Sequence, residues 1–278
     1  MLLAEYTLIY YTQNSLSWLY FQKNKFNLQE KYTPNNYSLE NLTASMVCVL
    51  NDCRKANITD NIDILNILNT EFIHGNIAFE PVDDKDIPKY PNSGIVKGDS
   101  DKNIIRIFVN PTFFNILKKA NSTCSDEDTK NLLKDLLSVY RHEFVHMHQT
   151  NQEKIPQTGI DVSNMKTRKQ AESYLSQGRE IDAHAAEVAT RLLSTNMTLN
   201  QIIKAIRDNT RPLLFDPTYK IYYTCFGMAK DIPIHQRDKD SIFRINIFKR
   251  FQKRIFDFLI LDHKFITDKR ALEINPFN

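Results

Sequence analysis

A long run of apolar residues at helical spacing is the feature that most limits what this 278-residue chain can fold into. Ser125, with Asp128 three residues later, predicts a capping box at its start, and the helical pattern continues to about Gln149. Its apolar positions are Leu132, Leu133, Leu136, Leu137, Tyr140 and Phe144. The spacing predicts one long helix with an apolar face buried in a core.

Polar side chains appear in that helix as His142-Glu143-Phe144-Val145-His146. Residues four apart lie on one face of an α-helix, so both imidazoles can reach a single tetrahedral ion. Glu143 lies about 100° around the helix from His142, which puts its carboxylate beside the ion, where it can take a proton from water. The pattern predicts a Zn²⁺ centre for hydrolysis, with His142 and His146 as ligands and Glu143 as general base.

A catalytic zinc usually has a third protein ligand, and the candidates lie in a second predicted helix, from about Arg179 to Thr195. This helix is rich in alanine, whose small side chain lets another helix approach closely. Glu180, near its start, is the first candidate for the third ligand. Asp182, His184 and Glu187 compete with it, and His184, one turn after Glu180, could be a ligand or a residue that orients one.

Attack on a carbonyl produces an oxyanion, which an additional hydrogen-bond donor helps to stabilise. Tyr174, just before the second helix, is the first candidate for this catalytic role, and Tyr222, Tyr223 and His184 are the alternatives. His148 follows His146 by two residues and falls on the far side of the helix, so it is excluded as a ligand.

A helix-borne HExxH pattern followed by a downstream glutamate, with a polar residue four positions later, resembles the zincin metallopeptidases. More narrowly it resembles the gluzincin branch, which includes thermolysin-like and ImmA/IrrE-type peptidases, over Leu132 to Glu187. The resemblance implies that Glu180 is the third ligand and that His184 orients a zinc-binding histidine, although Asp or Asn is common at that position. It also implies a small sheet beside the HExxH helix, with an edge strand that receives the substrate in extended form.

The sequence contains candidates for such a sheet. Ile104 to Val109 is the clearest strand pattern, and Ile77 to Phe79 and Gly94 to Val96 are shorter apolar runs. Together they predict a small, partly antiparallel sheet. Ile104 to Val109 could be the edge strand that binds substrate by β-augmentation or, equally, an internal strand without substrate contact.

The remaining patterns complete a mainly helical α+β, zincin-like fold. Helices are predicted over Leu39–Arg54, Asp60–Phe72 and Gln201–Asp208, and a strand over Lys220–Phe226. We expect a single domain over residues 1–278. It would comprise a helical cover (1–74), a catalytic core (about 75–200) and a basic C-terminal extension (201–278).

Charge is uneven along the chain: residues 1–200 sum to about −3 and residues 201–278 to about +6. The segment Ile242 to Leu261 places basic residues among aromatic ones. This supports an alternative function, a module that binds nucleic acid or a membrane surface and in which the zinc is structural. A helix with a buried aromatic stripe and a solvated basic face gives the same pattern.

The predicted partner is a protein or peptide substrate, and the oligomeric state is not indicated. The four cysteines have no paired spacing, which favours a reducing compartment. Met1 to Tyr11 lacks the features of a secretory signal, and no apolar run approaches the roughly 20 residues of a membrane span. We therefore expect a cytoplasmic protein, in its own cell or in a host cell.

Overall fold

The computed structural model describes residues 39–72, 76–82, 94–100, 103–153, 167–195, 197–208 and 211–266. Residues 1–38 of the predicted helical cover, among them Met1 to Tyr11, and residues 267–278 of the predicted extension lie outside this range. The described part is mainly helical with one small mixed sheet, which confirms the predicted α+β class.

The sheet has three strands, Ile77–Pro81 (β1), Ile95–Ser100 (β2) and Ile105–Val109 (β3), in the order β1-β3-β2. β1 runs parallel to β3, and β2 runs antiparallel to it. A small, partly antiparallel sheet was expected and is confirmed. Of the two alternatives for Ile104 to Val109, an edge strand or an internal strand, the structure has the internal strand, because β3 is paired on both sides. The edge strands of the described sheet are β1 and β2.

The helices run, in chain order, over Leu39–Lys55 (α1), Asn61–Phe72 (α2), Pro111–Lys119 (α3), Glu127–Glu153 (α4), Arg168–Leu175 (α5), Gly178–Leu193 (α6), Leu199–Asp208 (α7), Arg211–Leu214 (α8), Pro217–Cys225 (α9) and Lys239–Ile266 (α10). Two short 3₁₀ turns, Gly227–Asp231 and Ile234–Gln236, precede α10. The helices predicted at the positions of α1, α2, α4, α6 and α7 are confirmed.

Two local predictions are wrong, and capping explains both. α4 is capped by Asp126, whose Oδ1 accepts from Thr129 N at 2.9 Å, rather than by Ser125, whose Oγ accepts from Asn121 Nδ2 instead. The strand expected over Lys220–Phe226 is instead the last part of α9, with Phe226 as its C-cap. Asp216 caps that helix by accepting from Tyr219 N at 2.9 Å, and Pro217 occupies its first turn, a combination typical of a helix start.

Buried apolar side chains form two clusters on either side of α4. The first, which we call the sheet core, joins the sheet to α1, α2, α3 and one side of α4, and includes Phe144 and Met147. The second, the helix core, joins α6 to the later helices and includes Val145 of α4. Because neighbouring residues of α4 enter different clusters, this helix separates the two and is anchored in both.

α10 covers the face of α6 remote from α4. Phe248, Phe251 and Phe258 are buried in the helix core, whereas Lys249 and Arg250 are exposed. The basic segment is thus a helix with a largely buried aromatic stripe and a solvated basic face. Within the described ranges, no helix combines the length and the apolar character that crossing a bilayer requires.

Candidate metal centre

Side chains from α4 and α6 meet at one point. His142 Nε2 and His146 Nε2 are 3.1 Å apart, and Glu180 Oε2 of α6 is 3.4 Å from His146 Nε2. A tetrahedral zinc ion with bonds of about 2.0 to 2.1 Å holds its ligand atoms about 3.3 to 3.4 Å from one another. Both distances are close to that separation, so the three donors are arranged around a volume suited to one ion.

The sequence of α6 explains why Glu180 reaches α4. Ala183, Ala186 and Ala189 are buried, and their small side chains let α4 and α10 pack closely against this helix. Glu180 lies in the first turn of α6, where a carboxylate interacts favourably with the helix dipole. It is only 5% exposed, so its charge needs a partner within the protein.

His184, one turn further along α6, joins the same cluster. One donor atom from each of His142, Glu180 and His184 lies within 4.8 Å of the others, and together these three residues, a group that does not include His146, could hold a metal ion. Glu180 Oε2 and His184 Nε2 are buried and make no hydrogen bond to any described residue. Buried polar atoms are normally satisfied, so these two atoms fit a site whose remaining partner is a cation.

The outer nitrogens of the imidazoles are held by side-chain oxygens. His146 Nδ1 lies 3.1 Å from Gln149 Oε1, and Gln149 Nε2 donates to the carbonyl of Arg179 at 3.4 Å. His142 Nδ1 lies 3.3 Å from Glu187 Oε2. An acceptor at Nδ1 requires the proton there, which leaves Nε2 of a neutral ring free to bind a metal.

Glu143 is positioned by β2 and not by the helix core. It is 8% exposed, and Ser100 Oγ donates to its Oε2 at 3.1 Å. Gly98 packs directly on this side chain, because a Cβ added there would overlap Cγ of Glu143 and lie 2.9 Å from its Oε1. A residue without a side chain is therefore required at Gly98, and Oε1 remains the oxygen that Ser100 does not occupy.

The tyrosine candidates have different surroundings. The half-buried Tyr174 lies beside the site, with its ring centroid 6.3 Å from that of His184. Burial, and then the charge of Glu180, raise its pKa, so its hydroxyl stays protonated and can donate. Tyr222 is fully buried, donates to the carbonyl of Leu175 at 3.0 Å and stacks on Phe251, and Tyr223 packs against Phe248.

Charges within the site favour a cation. Burial alone would lower the pKa of His142, but its hydrogen bond to Glu187 and the charge of Glu143 raise it to about 9. Burial alone would raise the pKa of Glu180, but its contact with His146 lowers it to about 2. Burial, and then the charge of His142, lower the pKa of His184. The carboxylate of Glu180 thus stays ionised next to the imidazoles, and an ionised carboxylate is a suitable ligand for a divalent cation.

Three other residues of α4 and α6 that were weighed as ligands have different partners. Asp182 Oδ1 is 2.8 Å from Arg254 Nε of α10, so this side chain joins α6 to the helix behind it. His148 packs against Phe144, whose side chain lies in the sheet core. Glu187 contacts the outer nitrogens of two imidazoles and not the central volume.

Sequence reasoning missed three residues that hold this site. Gln149 lies three residues after His146 on the same helix, about one turn away, and this spacing indicates that the two side chains can interact. Gly98 and Ser100 reach Glu143 only because β2 packs against α4. Spacing along the chain contains no signal for that contact.

Comparisons with protein-family models, curated proteins and solved structures found no match for this chain.

Proposed function

We propose that this protein is a zinc-dependent peptidase in which His142, His146 and Glu180 bind the ion and Glu143 is the general base. The main support is the convergence of His142 Nε2, His146 Nε2 and Glu180 Oε2, with separations of 3.1 and 3.4 Å, next to Glu143, whose charge acts on His142. Two imidazoles and one carboxylate are a typical donor set for catalytic zinc.

A bound zinc ion supplies Lewis acidity and lowers the pKa of a coordinated water toward about 7. Glu143 contributes the proton transfer. Its Oε2 accepts from Ser100, so Oε1 is the atom that takes the proton of the attacking water and returns it to the leaving amine. The contacts with β2 hold this carboxylate in one orientation, which avoids reorganisation during the reaction.

Tyr174 is the residue we assign to the oxyanion. Its raised pKa keeps the hydroxyl protonated next to the acidic cluster, so it can donate to an oxygen that becomes negative. Tyr222 is less suited to this role because it is fully buried and its hydroxyl donates to the carbonyl of Leu175, whereas the hydroxyl of Tyr174 interacts with Glu180 at the site itself. Tyr174 is half-buried, which suits a side chain at the border between protein and substrate.

The substrate is a protein or peptide, and β2 is the strand that we expect to bind it. In the described sheet, β2 pairs with β3 on one side only, and it lies against α4 next to Glu143. Its outer edge can accept an extended chain through main-chain hydrogen bonds, which would align a scissile bond with the candidate metal centre. The isolated cysteines support the cytoplasm, of its own cell or of a host, as the location.

Metal analysis combined with cleavage-site mapping tests this function. Wild-type protein and the variant Glu143→Gln are each analysed for zinc and incubated with a cell proteome, and the new peptide termini are identified. We expect about one zinc per chain in both proteins and cleavage by the wild type alone. If both proteins contain zinc but produce the same new peptide termini, or produce no new termini, the peptidase assignment is contradicted and a structural ion is favoured.

A further inference from the structure

The carboxylate of Glu187 lies between two imidazoles. Its Oε2 is 3.3 Å from His142 Nδ1 and 3.0 Å from His184 Nδ1, and the centroids of the two rings are 4.5 Å apart. A carboxylate has no proton to give, so each of these nitrogens has to donate to it. When these rings are neutral, their proton is therefore on Nδ1 and Nε2 is unprotonated, the form in which histidine binds a metal.

Glu187 is itself fixed from behind. Its other oxygen, Oε1, accepts from Arg191 and, at 3.2 Å, from Thr218 Oγ1. Arg191 also makes two hydrogen bonds to Asp216, at 2.6 and 3.1 Å, at the start of α9. Because both carboxylate oxygens of Glu187 already accept hydrogen bonds, this residue can hold the two rings at a fixed orientation but is not available as a ligand.

His184 presents a nitrogen that nothing else in the described structure uses. Its Nε2 is buried without a hydrogen-bond partner among the described residues, and the residue belongs to the three-residue group that could hold an ion. A ring used only to orient His142 would place one of its own nitrogens against His142. Instead, both rings use Nδ1 to bind Glu187, so the orienting role is filled by Glu187.

We infer that His184 is a fourth protein ligand of the ion, held together with His142 by the single oxygen Glu187 Oε2. His146 is not in the group of donors that lie within 4.8 Å of one another, so His146 and His184 have to approach each other as the ion binds. The inference rests on the proposed function and deepens it, because it changes the donor set to three imidazoles and one carboxylate. Such a set fills all four positions of a four-coordinate ion. It predicts that metal is retained tightly and that substrate has to enter by an increase in coordination number or by displacement of His184.

X-ray absorption spectroscopy of the zinc-loaded full-length protein tests this directly, because scattering from imidazole rings counts the histidine ligands. The variant is His184→Asn, whose side-chain amide can still donate to Glu187 but has no group in place of Nε2. The exposed His235 provides a matched control, His235→Asn. Zinc affinity is measured in parallel by competition with a chromophoric chelator, and folding by circular dichroism.

We expect three imidazoles in the wild type and in His235→Asn and two in His184→Asn, with an affinity about 10-fold or more lower in that variant. A count of two imidazoles in the wild type overturns the inference but leaves the zinc centre intact. A count of three imidazoles in His184→Asn has the same meaning, because His184 is then not a ligand. A wild type that binds no zinc overturns the proposed function as well. If His184→Asn does not fold, the wild-type count alone decides between two and three.

Discussion

The two sides of the candidate metal centre are built by different kinds of structure. On the sheet side, β2 holds Glu143 through the bare backbone of Gly98 and the hydroxyl of Ser100. On the helix side, α6 contributes Glu180 and His184, and its charged residues form a buried network with α9 and α10. Glu143 and the candidate donors of α6 are therefore positioned independently, so substitutions should separate the proton transfer from the metal binding that we propose.

The largest effects should come from one chemical change made on each side. Glu180→Gln removes a charged ligand, and we expect zinc affinity to fall more than about 100-fold, beyond the loss typical of residues behind the ligands. Glu143→Gln should leave affinity within a few-fold and lower kcat by about 10² to 10⁴, the usual contribution of a general base. Chelator competition and peptide-cleavage kinetics measure the two quantities. Equal losses of affinity in both variants would show that the sides are not independent.

Gln149→Met tests the helix side without touching a ligand. Methionine has a similar length but cannot accept from His146 Nδ1 or donate to the carbonyl of Arg179. We expect zinc affinity to fall about 10- to 100-fold while the fold is retained. Isothermal titration with zinc measures this. An unchanged affinity would mean that His146 needs no partner to keep its orientation.

Gly98→Ala is the corresponding test of the sheet side. The added methyl overlaps the Glu143 side chain, so we expect a loss of about 1 to 3 kcal/mol in the free energy of unfolding and a drop in kcat at nearly unchanged zinc affinity. The control is Gly94→Ala, whose methyl would lie 2.8 Å from Leu132 Cδ1 in the sheet core. The control should be destabilised by steric overlap without the selective drop in kcat.

The smallest effect concerns pH and belongs to the helix side. Burial raises the pKa of Asp257 on α10 to about 6, although Arg254 acts against this shift. The folded state therefore binds more protons than the unfolded state between about pH 4 and 6, and stability falls as pH rises through that window. In Asp257→Asn, the decrease in the free energy of unfolding across this pH window should be smaller by about 1 to 2 kcal/mol. Urea unfolding of both proteins at pH 4.5 and 7 measures it, and parallel curves would contradict the assignment.

Local patterns predicted much of this molecule. The helical spacing around Leu132 and the pair His142 and His146 depend on residues a few positions apart, and the structure has the helix where the pattern indicates it. The alanine-rich pattern around Glu180 predicts a helix that packs closely on the HExxH helix, and α6 does pack against α4. The α+β class followed from the short apolar runs.

What could not be predicted depends on contacts between distant segments. Strand order is an example, since nothing in Ile105 to Val109 reveals that β1 and β2 pair on both sides of it. The role of Glu187 is another, because it follows from which imidazoles α4 presents to α6. The strand predicted over Lys220–Phe226 was a different kind of error, because the capping signal of Asp216 and Pro217 was present but unused.

The ion pair between Asp182 and Arg254 has a consequence for how the protein is made. A ribosome releases α4 and α6 well before α10, so the apolar back of α6 emerges with nothing to cover it. Nascent chains fold as units once enough of each unit has emerged. We therefore expect the candidate donors of α6 to be held in place only after residues near Arg254 have been translated, so that binding of the proposed ion would follow synthesis of α10.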